Sequence, residues 1–272
     1  MYRVQAEFCL QSPSKYHFEV PVELDGVRLE TRDGKVCGEV TMSVADPARI
    51  EQEVYREVDR VALLLTLQSG EGFAVEDFRV RGAVRVSSEE RGATTEVRLE
   101  AEAHVVLKVR EEVLIERTAR YTKERLEMLV AELRELSSRL SKLGGGEDVL
   151  RAVRWWRKGY LEEDRVDRFL HYYIAFEILA SVRGYKSRHK DWAKRFSEDY
   201  SITYSITYGP GSKTTVRNIR NWLVHEPGPE KDRAEELARQ YADLFGTEIL
   251  RAIKRIIDEA APTQSPPPVY VQ

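Results

Sequence analysis

Leu140-Ser141-Lys142-Leu143-Gly144-Gly145-Gly146-Glu147-Asp148 is where this chain changes character. Three consecutive glycines close a charged amphipathic helix, since glycine is costly inside a helix and common just beyond its end. Before this break apolar residues mostly alternate with polar ones; after it they recur at helical spacing. The pattern predicts two domains: an α+β domain over residues 1–143, mostly antiparallel sheet plus helices, and a helical region over residues 147–261.

On the N-terminal side, Val4-Ala6-Phe8-Leu10, Val36-Gly38-Val40-Met42-Val44 and Val97-Leu99-Ala101-Ala103-Val105 show the period of two expected of half-buried strands. Phe78-Val80 and Val84-Val86 predict a further strand kinked at Gly82, followed by a loop over Ser87–Gly92. Asp46 and Pro47 open a helix as N-cap and first residue, with Ile50, Val54, Val58, Val61 and Leu65 as its apolar stripe. The helix that ends at the glycines starts near Thr122 and presents Leu126, Leu129, Val130, Leu133, Leu136 and Leu140.

On the C-terminal side, helices are expected from Asp148 to Tyr160, from a cap at Asp164 through Leu179, from Lys190 to Asp199, from Ser212 to His225 and from Pro229 to Ala260. Ser-Ile-Thr-Tyr occurs twice in succession between Ser201 and Tyr208, and reads as a loop or short hairpin ending at Gly209-Pro210-Gly211. The tail from 262 to 272 is proline-rich and expected to be disordered.

With 42% hydrophobic and 33% charged residues the composition is that of a globular protein, and its dense Glu and Arg are compatible with a thermophile. No apolar run reaches the length of a membrane helix, and Met1-Tyr2-Arg3-Val4 leads straight into an alternating pattern, so a cytoplasmic protein is expected. Cys9 and Cys37 lack metal-ligand spacing and fall on the polar parity of their segments. A disulfide between them is open, with two free thiols in a reducing compartment the expectation. No His/Cys/Asp cluster suggests a metal or cofactor site. The net charge of −3 conceals a basic stretch: Ser181–His225 holds nine Lys and Arg against three Asp and Glu. An anionic partner would fit that stretch, as would a solvated helix face.

Arg220-Asn221-Trp222-Leu223-Val224-His225 is the constellation with chemical content. On a helix Lys213, Arg217, Asn221 and His225 share one face, while Ile219, Trp222 and Leu223 face the core. Arg220 lies about 140° from His225 at 3.6 residues per turn, so its side chain must swing round or the helix must loosen before Pro227. His225 falls in the last turn, where the helix dipole favours positive charge. An imidazole beside a permanent cation suits attack of an RNA 2′-OH on its own phosphate. His225 transfers a proton, Arg220 binds phosphate and stabilises developing charge, and Asn221 orients either one. A structural role fits the same residues: a histidine bonding the last carbonyls, and arginines pairing with Glu226 and Glu230. Lys213, Arg217, Lys194 and Arg195 are the candidate RNA-binding cations. Glu177, in an apolar helix, either supports the site or partners a buried arginine. Tyr185, Trp192, Phe196, Tyr200, Tyr204 and Tyr208 interleave with basic residues, as base stacking or a bundle core would each require.

The region from about residue 147 to 260 resembles a HEPN domain, closest to the Apea-like branch found with prokaryotic defence proteins. Arg220–His225 matches that family's Arg-polar-x-x-x-His pattern, Phe169–Leu179 is similar to its aromatic-rich second helix, and Trp155-Trp156 precedes that helix at a familiar distance. The resemblance implies an up-and-down helical bundle, commonly dimeric, with two motifs meeting across the interface. It further implies a metal-independent endoribonuclease that leaves a 2′,3′-cyclic phosphate, with Arg220 and His225 catalytic and Asn221 supporting them. An antitoxin or regulatory protein would be a further partner. Pro227 stands where members paired with a nucleotidyltransferase carry a tyrosine, which argues against that version. The alternative within the same fold is a module that binds RNA or nucleotide, or dimerises, without catalysis. The acidic first domain is expected to sense, regulate or assemble.

Overall fold

The computed structural model describes residues 1–85, 96–97, 118–185, 191–208, 211–225 and 228–260. The expected strand at 97–105 beyond Val97, the loop at 87–92 and the tail at 262–272 fall outside them, as do Lys186, Arg188, His189, Lys190 and Pro227. The chain forms two compact units, residues 1–135 and 136–272, so the division falls inside a helix rather than at the glycines that end it.

Among the described residues the first unit forms a six-stranded antiparallel sheet with helices. Its strands are β1 (Tyr2–Gln11), β3 (Val22–Leu24), β4 (Val27–Arg32), β5 (Lys35–Val44), β6 (Ala74–Arg85) and β7 (Glu96–Val97), in the order β3-β4-β5-β1-β6-β7. β2 (Lys15–Phe18) pairs in parallel with β8 (Thr118–Tyr121) as a separate ribbon. The alternation seen in the sequence is the burial pattern: Val4, Ala6, Phe8 and Leu10 are buried, with polar residues between them. They meet α1 (Ile50–Ser69), whose Ile50, Val54, Val58, Val61 and Leu65 are all buried. Asp46 caps a 3-10 turn at Pro47–Arg49 that leads into that helix, so the helix itself starts three residues later than expected, with Arg49 at its N-cap. The kink at Gly82 is a slip of register: Gln5 faces Gly82 while Ala6 faces Val80.

Cys9 and Cys37 form a disulfide, which corrects the expectation of two free thiols. Cross-strand register puts them directly opposite one another on β1 and β5, and Cys37 is buried despite its polar parity. Alternation in one strand reports which face a residue takes but not which residue of another strand it meets. Replacing both cysteines with serine is expected to cost about 3.6 kcal/mol, the value for a loop closed over a separation of 28 residues, read as a lowered denaturant midpoint. A midpoint unaffected by reductant would overturn the pairing.

α2 (Lys123–Lys142) runs from one unit into the other. The second unit contains α3 (Gly146–Leu161), α4 (Arg165–Val182), α5 (Trp192–Asp199), α6 (Val216–His225) and α7 (Pro229–Glu259). Asp164 caps α4 by accepting from the amides of Val166 and Asp167, and those bonds hold its carboxyl below the usual range. Phe169, Tyr173 and Phe176 of α4 meet Phe245 of α7 with ring centroids 5.2–6.5 Å apart. Tyr172 of α4 packs between Gly159 of α3 and Gly246 of α7, and the Trp156 indole donates to the Gly246 carbonyl at 2.7 Å. The unit is not purely helical, because β9 (Ser205–Tyr208) and β10 (Ser212–Thr215) form a hairpin. β-branched Thr214-Thr215 pairs with Ser205-Ile206 where a helix from Ser212 was expected.

Candidate functional site

α6 carries the site. Thr215 caps it, its hydroxyl accepting from the Asn218 amide at 3.1 Å. Val216 and Ile219 are buried and anchor its first turn. Trp222 and Leu223, expected in the core, are only half-buried, and Val224 is exposed. The C-terminal half of α6 therefore presents apolar and functional side chains together.

Arg220 reaches His225 within one chain. Its Nη1 lies 3.2 Å from His225 Nε2 and donates to Asn221 Oδ1 at 3.3 Å. The 140° between the two positions is crossed by the length of the arginine, so a second chain is not needed to bring them together. A guanidinium has no lone pair to offer, so the contact requires Nε2 to be the acceptor. Asn221 acts on the arginine rather than on the histidine.

Behind α6 stands α4. The Arg220 guanidinium lies 5.9 Å from the centre of the Tyr173 ring, within cation–π range. One turn along, Glu177 is half-buried and feels both Arg220 and Arg217. Burial raises its carboxyl, and the two arginines only partly offset this. The Tyr173 hydroxyl is raised as well, by burial first and then by Glu177, with Arg220 and Arg217 opposing. Tyr204 raises it further, as the smallest of these influences.

Of the residues singled out in the sequence, Arg220, Asn221 and His225 come together, with Arg217 and Glu177 beside them. Lys213 does not share their helical face; it is exposed on β10, opposite Thr207. Lys194 and Arg195 are exposed on α5, where Lys194 pairs with Glu198, and neither is among the groups acting on Glu177 or Tyr173. Sequence reasoning gave Tyr173 no part in the site, although its spacing of four from Glu177 was the available signal. It also overlooked Glu248, a buried carboxylate of α7 that accepts from the Thr203 amide at 2.9 Å and hydroxyl at 2.8 Å. A charge among Phe245, Ile249 and Ala252 was the hint there. Among the described residues no group of three or more His, Cys, Asp or Glu could hold a metal ion, and no helix is long and apolar enough to cross a membrane.

The Glu177 shift has a measurable sign. Its carboxyl binds a proton more tightly in the folded protein than in the unfolded chain. Ionised Glu177 therefore costs stability above its folded pKa, and the cost is relieved as pH falls through that range. Glu177→Gln is expected to raise the denaturation midpoint at neutral pH and to lose this advantage in acid. A lowered midpoint at neutral pH would show that attraction to the arginines outweighs burial.

Compared with protein-family models, with curated proteins and with solved structures, the chain matches none.

Proposed function

We propose that the second unit is a HEPN-type, metal-independent endoribonuclease, whose site is Arg220, Asn221 and His225 with Glu177 in support. The observation that carries this reading is the 3.2 Å approach of Arg220 Nη1 to His225 Nε2, on a helix end whose surroundings include a second arginine. An unprotonated Nε2 can serve as the general base once Arg220 turns from it to the phosphate and frees its lone pair. His225 takes the proton of an RNA 2′-OH as the 2′-oxygen bonds to phosphorus, and Arg220 stabilises the charge that develops on the phosphoryl oxygens. The bond from phosphorus to the 5′-oxygen breaks, leaving a 2′,3′-cyclic phosphate, and the 5′-oxygen departs with a proton.

In-line displacement places the entering and leaving oxygens on opposite sides of phosphorus, so one imidazole does not reach both. A homodimer supplies the second, with the histidine of another copy as the acid. Leu170, Ile174 and Ile178 lie four residues apart on α4 and are half-buried, as are Trp222 and Leu223, so apolar surface is at hand for such a contact. Defence or stress, with an antitoxin or regulatory partner, is the setting in which such a nuclease would act. In a cytoplasmic protein the Cys9–Cys37 bond would be of the kind kept inside the cells of hyperthermophiles.

The test is incubation of the purified full chain with mixed-sequence RNA in EDTA. Cleavage with cyclic-phosphate ends supports the reading. RNA binding without cleavage would replace it with the non-catalytic module.

A further inference from the structure

Arg220 is held without an ion pair. Among the described residues its partners are Asn221, His225 and the Tyr173 ring, none of them a carboxylate. One nitrogen, Nη1, serves both Asn221 at 3.3 Å and His225 at 3.2 Å. The guanidinium carbon lies over the Tyr173 ring, 5.9 Å from its centre. That ring cannot follow the arginine. It is fully buried, and the rings of Phe169, Phe176 and Phe245 stand 6.4, 5.6 and 6.5 Å from it. A side chain packed this way keeps one orientation.

The two kinds of contact respond differently when the guanidinium turns. His225 Nε2 is free to take a proton only after Nη1 has left it for the phosphate. A hydrogen bond weakens steeply with angle, so turning breaks it. The pull of a ring face on a cation depends on the distance from the charge to the ring centre. The guanidinium charge is spread over a planar group. Rotation of that group about its own carbon therefore leaves the attraction to Tyr173 in place while the hydrogen bonds change partners.

We propose that Tyr173 is a positioning residue, the fixed pivot that holds Arg220 while its Nη1 passes from His225 to the phosphate. Through Arg220 it both unmasks the base and keeps the cation aimed at the charge that develops. The proposal rests on the ribonuclease reading for its phosphate, but the hold on Arg220 is measurable in binding without cleavage.

Tyr173→Leu would open a cavity in the core, so the test weakens the ring instead of removing it. Tyr173→Phe of the full chain is compared with the same position carrying difluoro- and trifluorophenylalanine. Fluorine draws density from the ring face and changes its shape little. Affinity for a fluorescent mixed-sequence RNA is measured first, then kcat and KM in EDTA, and the denaturation midpoint throughout. Tyr173→Phe is expected to match wild type. The trifluoro form is expected to fall about tenfold in kcat/KM, with the difluoro form between, kcat falling more than KM rises, and the midpoint unchanged. In an Arg220→Ala background the series is expected to be flat. If wild type cleaves and the series is flat with Arg220 present, the pivot is wrong and the nuclease stands. If wild type binds RNA without cleaving, the nuclease reading is lost. RNA affinity that falls along the series would then keep Tyr173 as the support of Arg220, and level affinity would overturn it.

Discussion

His225→Ala is expected to lower RNA cleavage in EDTA by a factor of about 100 to 10,000, the range for loss of a positioned general base. The fold should be unaffected, because His225 is exposed at the end of α6. Arg220→Ala is expected to cost about 100- to 1,000-fold by removing a donor aimed at developing charge. Arg220→Lys should not restore activity. A lysine offers one compact ammonium in place of a planar fork that reaches Asn221 and His225 from the same nitrogen. The double variant should be scarcely worse than the more damaging single one, since the two side chains act as a unit. Product ends analysed beside initial rates make the check. Wild-type cleavage that persists in His225→Ala would move the chemistry elsewhere in the chain.

The second large effect concerns the packing of α4 against α3 and α7. A methyl added at Gly246 would lie 2.3 Å from Tyr172 Cε2, and one at Gly159 would lie 2.7 Å from Cε1 of the same ring. Tyr172 is buried with a glycine at each edge, so it has nowhere to retreat. Gly246→Ala gains about 1 kcal/mol of helix propensity, but overpacking of this kind costs about 1–3 kcal/mol. Gly246→Val adds two further carbons and a β-branch, so a loss of about 3 kcal/mol or more is expected. That is a large share of the roughly 5–15 kcal/mol that holds a typical protein folded. Denaturant midpoints measure it, and Tyr172→Leu should recover part of the loss in the double variant. Additive effects would mean that the close approach at Tyr172 is not the cause.

Much of this arrangement was legible in the sequence wherever one element's own pattern sufficed. The period of two placed β1 and β5, the stripe from Ile50 to Leu65 placed α1, and Asp164 announced the start of α4. Arg220, Asn221 and His225 were legible for the same reason, being neighbours on one helix. Errors came where two elements had to meet. Ser212 and Thr215 are both good caps, and only pairing with Ser205–Tyr208 makes Thr215 the one used, which removes Lys213 from the helical stripe. Trp222 and Leu223 were assigned to the core by spacing alone, but α6 is anchored through Val216 and Ile219.

What the sequence by itself determined is therefore the type and order of most elements, the change from sheet to helix near the glycines, and the pair Arg220 and His225. Those features depend on contacts a few residues apart, which periodicity, caps and breakers encode directly. Tertiary structure alone decided that Cys9 meets Cys37, that Glu177 and Tyr173 stand behind Arg220, and that Glu248 holds Thr203. Each of these joins elements 28 to 47 residues apart in the chain, or across separate helices, through register and helix packing. Local propensity carries no term for such meetings, because they are set by which buried faces fit one another.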